Sequence, residues 1–496
     1  MQQMHKYAKS GSTLHWMRFG GMLTIYFDYF RYWPRSEEGY VFERSPRPTD
    51  WSRFEKYASH VRWLEYHGPN LNQDAFDEIA RTRRQLDIFP NLQTILWGFP
   101  FQTNLLCLFM HSGVKKLGLY VMDCPSETLF EEIVDRMPNL TDLDIRSAFT
   151  VRIVEDLVTL LLQQLPNLRR IELPHFCYIA RIFEVLSRLQ LLCTIEFIDR
   201  GESQDIEPFK PTIAEGAFLN LHNLSADLKF DDIVAWLQSP SAPSALTYIN
   251  VTSTLVEMPD SVRRLAFAAS KRCQELNRLR LGSALDYAVE NFADTGDNGC
   301  NITLEILKPL FKLPYLTSFV IDHQYPLLIT QQDIESLASS CPAIEILELC
   351  IAPAFCMEST LTLEALIPLA QHCTQLKSLG LFVDASRVPE ASPEIPPKPF
   401  TSLRFLSFGL SIIHDETPTV YLSQLIPPEC AINSFHAWEN DNSFENIAAQ
   451  RWQLWSVVGS LVPKLSSIIA QERRRTCALE SKVEELRMRA MAPQQD

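Results

Sequence analysis

The sequence predicts an α/β solenoid, and three observations carry that prediction. A short pattern, apolar-x-x-apolar-x-apolar, returns thirteen times between residues 61 and 403, about 28 residues apart. The second half of each copy alternates apolar and polar residues, as a half-buried strand does. The stretches between copies place apolar residues at helical spacing. Hydrophobic residues are 46% of the chain, so any one copy arises by chance in about a tenth of windows, and it is the regular recurrence that is informative. Leucine is in excess, at 65 of 496 residues.

The copies open at Val61, Leu92, Val114, Leu140, Leu168, Leu192 and Leu221, then at Leu246, Leu276, Leu316, Ile344, Leu376 and Leu403. Typical copies read FPNLQTILWG from Phe89, LPNLRRIELP from Leu165 and CQELNRLRLG from Cys273. Helices are expected between them at Thr128–Met137, Val151–Leu165, Asp260–Cys273, Thr303–Leu313, Gln331–Cys341 and Thr362–Cys373, with Ser126 and Asp260 as N-caps. Units of this length match leucine-rich repeats, which run about 20–29 residues with a strand and a helix or turn in each. The expected fold is therefore a leucine-rich-repeat solenoid: a curved horseshoe with parallel strands on the concave face and helices on the convex face.

Three segments follow: an N-terminal segment and linker at 1–46, the repeats at 47–440, and a helical cap and tail at 441–496. Asp384–Pro399 carries five prolines and reads as a loop within the repeats, because Leu403 resumes the pattern. Asp294–Gly299 reads as a surface turn. Ala449–Arg489 has helical spacing, with an interruption expected near Pro463; Leu479, Val483 and Leu486 line one side, and Arg473–Arg475 reads as a solvated basic face.

Sixty acidic against 45 basic residues give a net charge of −15, which argues against a general nucleic-acid or anionic-membrane binder. Twelve cysteines without a C-x-x-C pair, and no apolar run near 20 residues, point to a soluble, reduced, cytoplasmic or nuclear protein. The sequons at Asn139, Asn223, Asn250 and Asn301 are then chance matches. No phosphate-binding loop, dinucleotide fingerprint, nucleophile elbow or zinc-protease motif occurs. Asp294-Thr-Gly has no second copy to supply the paired carboxylate of an aspartic protease. His175 with Cys177, and Cys273, Cys341 and Cys373, read as structural. The expectation is a protein that is not an enzyme, with no cofactor and no metal.

Binding is expected on the strand residues that flank the apolar positions. The candidates are Trp63, Glu65, Tyr120, Asp142, Asp144, Arg146, Arg170, Glu172, Glu196, Asp227, Tyr248, Arg278 and Arg280. Thr94, Leu96, Lys116, Thr194, Asn223, Ser225, Asn250, Thr252, Asp322, Ile346, Glu348, Phe382 and Phe405 extend the same surface, as does His67. Its middle, Asp142 to Asp227, reads as mainly acidic and would steer a partner with a basic segment.

The copies that open on Cys273, Cys341 and Cys373, with Arg47-Pro-Thr-Asp-Trp51 running into Phe54–Tyr66, resemble fungal F-box proteins with cysteine-containing leucine-rich repeats. Leu14–Pro34 resembles the tail that follows an F-box; no Leu-Pro-x-Glu-like opening stands before Arg47, so the expectation is an F-box that is missing or degenerate here, or a sequence that starts late. The resemblance implies the substrate-recognition subunit of a Skp–cullin–F-box ubiquitin ligase, with a protein substrate on the concave face and a Skp-type adaptor at the N-terminus. The alternative is an adaptor-free repeat scaffold.

Overall fold

The structure is a computed structural model that describes residues 22–24, 42, 44–67, 73–121, 127–147, 155–174, 179–198, 209–283, 301–353, 359–389, 398–433 and 444–491. It is a leucine-rich-repeat solenoid fold, α/β, with parallel strands paired in sequence order. The stretch read as one repeat domain falls into two compact units, 1–226 with 240–243, and 227–239 with 244–496.

In the first unit the strands are β1 (Met22–Thr24), β2 (Trp63–Tyr66), β3 (Thr94–Trp97), β4 (Lys116–Val121), β5 (Asp142–Ser147), β6 (Arg170–Pro174), β7 (Thr194–Ile198) and β8 (Asn223–Asp227, whose last residue belongs to the second unit). Each pairs in parallel with the next. The connections carry α1 (Pro48–Ala58), α2 (Gln73–Thr82), α3 (Glu127–Arg136), α4 (Glu155–Gln164) and α5 (Ile179–Leu186), while Pro100–Leu108 winds as a 3-10 helix. The Arg47–Trp51 motif is the start of α1. Pro48 takes the first turn, where a missing N–H costs nothing. Asp50 accepts a hydrogen bond from Arg47 N–H at 2.9 Å and another from Arg44 at 2.7 Å. The Arg44 bond, then the Arg47 N–H, hold the Asp50 carboxyl down at about 2.

The second unit holds α6 (Phe230–Leu237), β9 (Tyr248–Ser253), α7 (Pro259–Arg272), β10 (Arg278–Ser283), α8 (Leu304–Leu307), β11 (Ser318–Asp322), α9 (Gln331–Ser340), β12 (Ile346–Leu349), α10 (Leu366–His372), β13 (Ser378–Leu381), β14 (Phe405–Ser407), α11 (Pro418–Leu425), β15 (Ala431–Asn433) and α12 (Phe444–Met491). Strands β9 to β15 also pair in parallel, each with the next.

All thirteen opening residues of the repeat copies are buried, none above 9% exposure. A device within the motif ties each such repeat to the one before it. In the Pro-Asn-Leu copies the asparagine reaches back one repeat: Asn91 donates to Ser59 O at 2.8 Å, Asn139 to Ser112 O at 3.0 Å and Asn167 to Pro138 O at 3.4 Å. In the second unit a cysteine holds the helix-to-strand corner. The N–H groups of Cys273, Cys341 and Cys373 cap α7, α9 and α10 through Ala269, Leu337 and Leu369 carbonyls. Burial pushes these thiols up to about 12, 11 and 12 respectively, so they are packing groups and not reactive thiolates.

Several expectations are corrected. Asp260 is not an N-cap: Pro259 begins α7 and Met258 precedes it, so Asp260 lies in the first turn, where its charge still favours the helix. A full helix is not built at Thr303–Leu313; α8 is a single turn, followed by a 3-10 turn at Leu310–Lys312. At Thr362–Cys373 a 3-10 turn, Leu363–Ala365, precedes α10. Pro463 does not interrupt the terminal helix, which runs unbroken from Phe444 to Met491. The carbonyl that a helical proline crowds is that of residue i−4, here Gly459, which has no side chain of its own to add to the clash. Ser126, His175, Cys177 and Asp294–Gly299 lie outside the described residues.

A buried histidine makes this unit sensitive to acid. His323 is 2% exposed. Its Nδ1 accepts from Tyr325 N–H at 3.1 Å, so Nε2 carries the proton and donates to Glu257 O at 3.0 Å. Burial lowers its pKa below the ordinary 6.5, against the Glu257 and Tyr325 carbonyls, which lie by the two ring nitrogens and favour the protonated ring. The unfolded chain therefore takes up a proton at higher pH than the folded one. Stability from the neutral ring is complete above about 6.5 and is lost as pH falls from there toward the lower folded value. Thermal melts should show a larger loss between pH 7 and 5.5 for the wild type than for His323→Gln. Parallel losses would refute the assignment.

Candidate functional site

Strand geometry puts the flanking residues on the sheet face opposite the buried apolar row. On β4 to β7 of the first unit the register places Lys116, Asp142, Arg170 and Thr194 in one row, and Gly118, Asp144, Glu172 and Glu196 in the next. Tyr120 stands beside Arg146 in a third. The sequence candidates of this region thus converge, and they bond to one another. Arg146 Nε lies 3.3 Å from Asp144 Oδ1, and its other nitrogen 3.8 Å from Glu172 Oε2. Arg170 donates to Glu172 and, at 3.1 Å, to Glu196 Oε2.

The arginines that the sequence sets among these carboxylates are bonded to them. Arg146 and Arg170 pair with Asp144, Glu172 and Glu196, which offsets part of the acidic charge there. Burial raises the Asp144 carboxyl, opposed chiefly by its bond to Arg146. For Arg170 burial works against the charge, but the Glu172 bond with the Glu196, Glu172 and Asp142 charges outweighs it and raises the pKa. Gly118 breaks the row of charged side chains, and a Cβ there would lie 2.7 Å from Leu96 Cδ2. Leu96 fills that gap.

Trp63 and Glu65 lie on β2, two strands before β4. Glu65 Oε1 lies 2.5 Å from His67 Nε2. Asp227 is half-buried at the end of β8.

On the second unit, the same rule aligns Tyr248, Arg278, Ser318, Ile346, Ser378 and Phe405 in one row. The next holds Asn250, Arg280, Val320 and Glu348. The Arg278 guanidinium stacks over the Tyr248 ring, 4.6 Å from its centroid. Arg280 donates to Asp322 Oδ2 at 3.0 Å. Burial raises the Asp322 carboxyl against the pull of Arg280. Burial, then the Asp322 charge, raises Glu348, which accepts a bond from Ser378 Oγ at 3.3 Å.

Four residues placed on this surface by alternation are buried: Thr194, Ser225, Thr252 and Phe382. Thr194 is covered by Asn223, which donates to its Oγ1 at 3.2 Å. Thr252 is bonded through its carbonyl to Leu228 N–H at 2.9 Å, at the end of the adjoining strand. Phe382 follows the end of β13, where the period of two no longer applies, and two residues on Asp384 bridges to Thr362 and Ile412.

Among the described residues no group of three or more His, Cys, Asp or Glu is arranged to hold a metal ion, and no helix is long and apolar enough to cross a membrane. No protein-family profile matches the chain. A search of curated proteins finds no match either. Among solved structures the chain is similar to one in the crystal structure of the Rad7 and Elc1 complex in yeast, with 13% identity, a TM-score of 0.40, and coverage of 74% of this chain and 84% of that one. It is also similar to one in the TLR13–ssRNA13 complex, with 12% identity and a TM-score of 0.35; that match covers 76% of this chain and 57% of the other.

Proposed function

We propose that the chain is a protein-binding module that contributes no chemistry of its own. The observation that supports this is the network on β5 to β7, where side chains from neighbouring strands, all but Arg146 half-buried, are held by one another. An exposed surface that orders its own charges in this way is prepared to meet a partner without a large further loss of side-chain freedom. The partner's charges would be read against fixed carboxylates and guanidiniums, which governs selectivity and encounter rate.

The test is charge reversal. Asp142→Lys with Asp144→Lys should lower capture of specific partners about tenfold or more, as read by quantitative mass spectrometry, while the melting temperature shifts by only a few degrees. Identical captured sets for wild type and variant would refute the reading.

On the resemblance of its cysteine-containing repeats and of the Arg47–Trp51 connector, we further propose that the module presents substrate to a Skp–cullin–F-box ubiquitin ligase. Co-expression with a Skp-type adaptor, followed by size-exclusion chromatography, tests this against a control lacking residues 1–46. Co-elution that depends on those residues supports the ligase role. Its absence favours the adaptor-free scaffold.

A further inference from the structure

We propose that the sheet face of the second unit binds a peptide segment of a protein partner by seating one of its carboxylate side chains on Arg278, with an apolar side chain of the same segment resting toward Ile346 or Phe405. The inference rests on the reading of the sheet faces as protein-binding surfaces and names what one of them takes.

Arg278 differs from the other arginines of these rows. Arg146, Arg170 and Arg280 each lie against a carboxylate. Arg278 is exposed and meets no carboxylate within ion-pair distance among the described residues, in a chain whose net charge is −15. Its guanidinium is held by stacking on Tyr248 instead. Stacking occupies the face of the guanidinium and leaves its N–H edge for a ligand. A planar edge with parallel donors suits a carboxylate, which can accept two of them at once.

The surroundings favour one negative charge over two. Arg280, on the same strand, is already bonded to Asp322. Glu348 stands in the Arg280 row, two strands further on. A phosphate dianion would bring a second charge toward these carboxylates with no second uncommitted guanidinium to match it.

The row also sets a length. Neighbouring strands lie about 4.8 Å apart, so Ile346 stands about 10 Å and Phe405 about 19 Å from Arg278 along the sheet. Ser318 and Ser378 between them are short. Phe405 is 52% exposed, so its ring offers apolar surface that a bound side chain can cover. An extended peptide covers these distances in about three and six residues. The segment that fits carries an Asp or Glu, with a branched or aromatic residue about three to six positions away.

The experiment uses the full chain and immobilised libraries of nine-residue peptides, random except for a central position fixed as Glu, Gln or phosphoserine. The Glu library should retain the wild type at least about tenfold more strongly than the Gln library, a difference typical of a charge-assisted bond. Arg278→Gln should abolish that preference without changing the melt, and Arg278→Lys, which keeps charge but not the fork, should retain only part of it. Failure of every library to retain the wild type, equal retention by Glu and Gln, stronger retention by phosphoserine, or a Glu preference that survives Arg278→Gln would each overturn the inference. If retention survives Arg278→Gln but falls with Asp142→Lys and Asp144→Lys, this inference fails and the broader binding role stands. If neither set of variants alters retention, both fail.

Discussion

Replacing Trp455 with alanine should lower the melting temperature of the second unit by roughly 10 °C, because the side chain closes the last repeats under α12. Trp455 is 1% exposed and stacks on Phe408 with ring centroids 4.3 Å apart. Its Nε1–H donates to Ser411 O at 3.0 Å. One helical turn earlier, Arg451 donates to Leu410 O at 2.9 Å. Val458 and Val462 continue the same buried stripe. Truncating a fully buried tryptophan costs about 3–5 kcal/mol, and for a unit of this size each kcal/mol shifts the melt by about 2–4 °C. Trp455→Phe, which keeps most of the apolar contact and loses the hydrogen bond, should cost only about 1 kcal/mol from that bond together with a small packing loss. Repeat arrays loosen from their ends, so hydrogen exchange should locate the damage. The Ile412 amide, bonded to Val383 O at 2.9 Å, should lose protection in the alanine variant. A melt within 2 °C of wild type would mean that α12 is not what closes the array.

The sequence reading succeeds where burial follows a short period. The alternation Leu117, Leu119, Val121 on β4 and Leu279, Leu281 on β10 required only the pleat, and those residues are in the core. It fails where a third dimension decides. Thr252 and Phe382 occupy outward positions by alternation, yet both are buried, Phe382 just beyond the end of its strand. β15 has only three residues, Ala431–Asn433, too few for any periodicity, and it is fixed by pairing with β14. On the candidate faces the residue types were legible and their relations were not. That Arg170 bridges Glu172 and Glu196, while Arg278 stacks on Tyr248, depends on which strands are adjacent and in what register. Sequence separation hides both: these neighbours lie 26 and 30 positions apart, one repeat away.

Gly409→Ala should be as damaging as the loss of Trp455, and for a reason that Gly409→Asn can isolate. Gly409 has φ +47°, and a Cβ built on it would fall 2.0 Å from Ile351 O and 2.6 Å from the carbonyl carbon. The neighbouring Leu410 N–H donates to that same oxygen at 3.0 Å. The left-handed conformation alone costs an alanine about 1–2 kcal/mol, and asparagine much less. If conformation were the whole cost, asparagine would recover most of the stability. The contact with backbone is common to every side chain, so the Phe408–Ser411 turn must move away from Ile351 in both variants, and the Leu410 bond goes with it. Both should therefore lose about 3 kcal/mol or more, alanine and asparagine within about 1 kcal/mol of each other. Near-wild-type stability for asparagine would show that the turn gives way at little cost. Trp455 and Arg451 grip this turn from the other side, through Ser411 O and Leu410 O. A turn displaced by Gly409→Ala no longer presents those carbonyls, so Trp455→Ala should cost less in its presence. The double variant should then be more stable than the two single losses predict, by about 1 kcal/mol or more. Simple additivity would mean that α12 and the Ile351 carbonyl hold the turn independently.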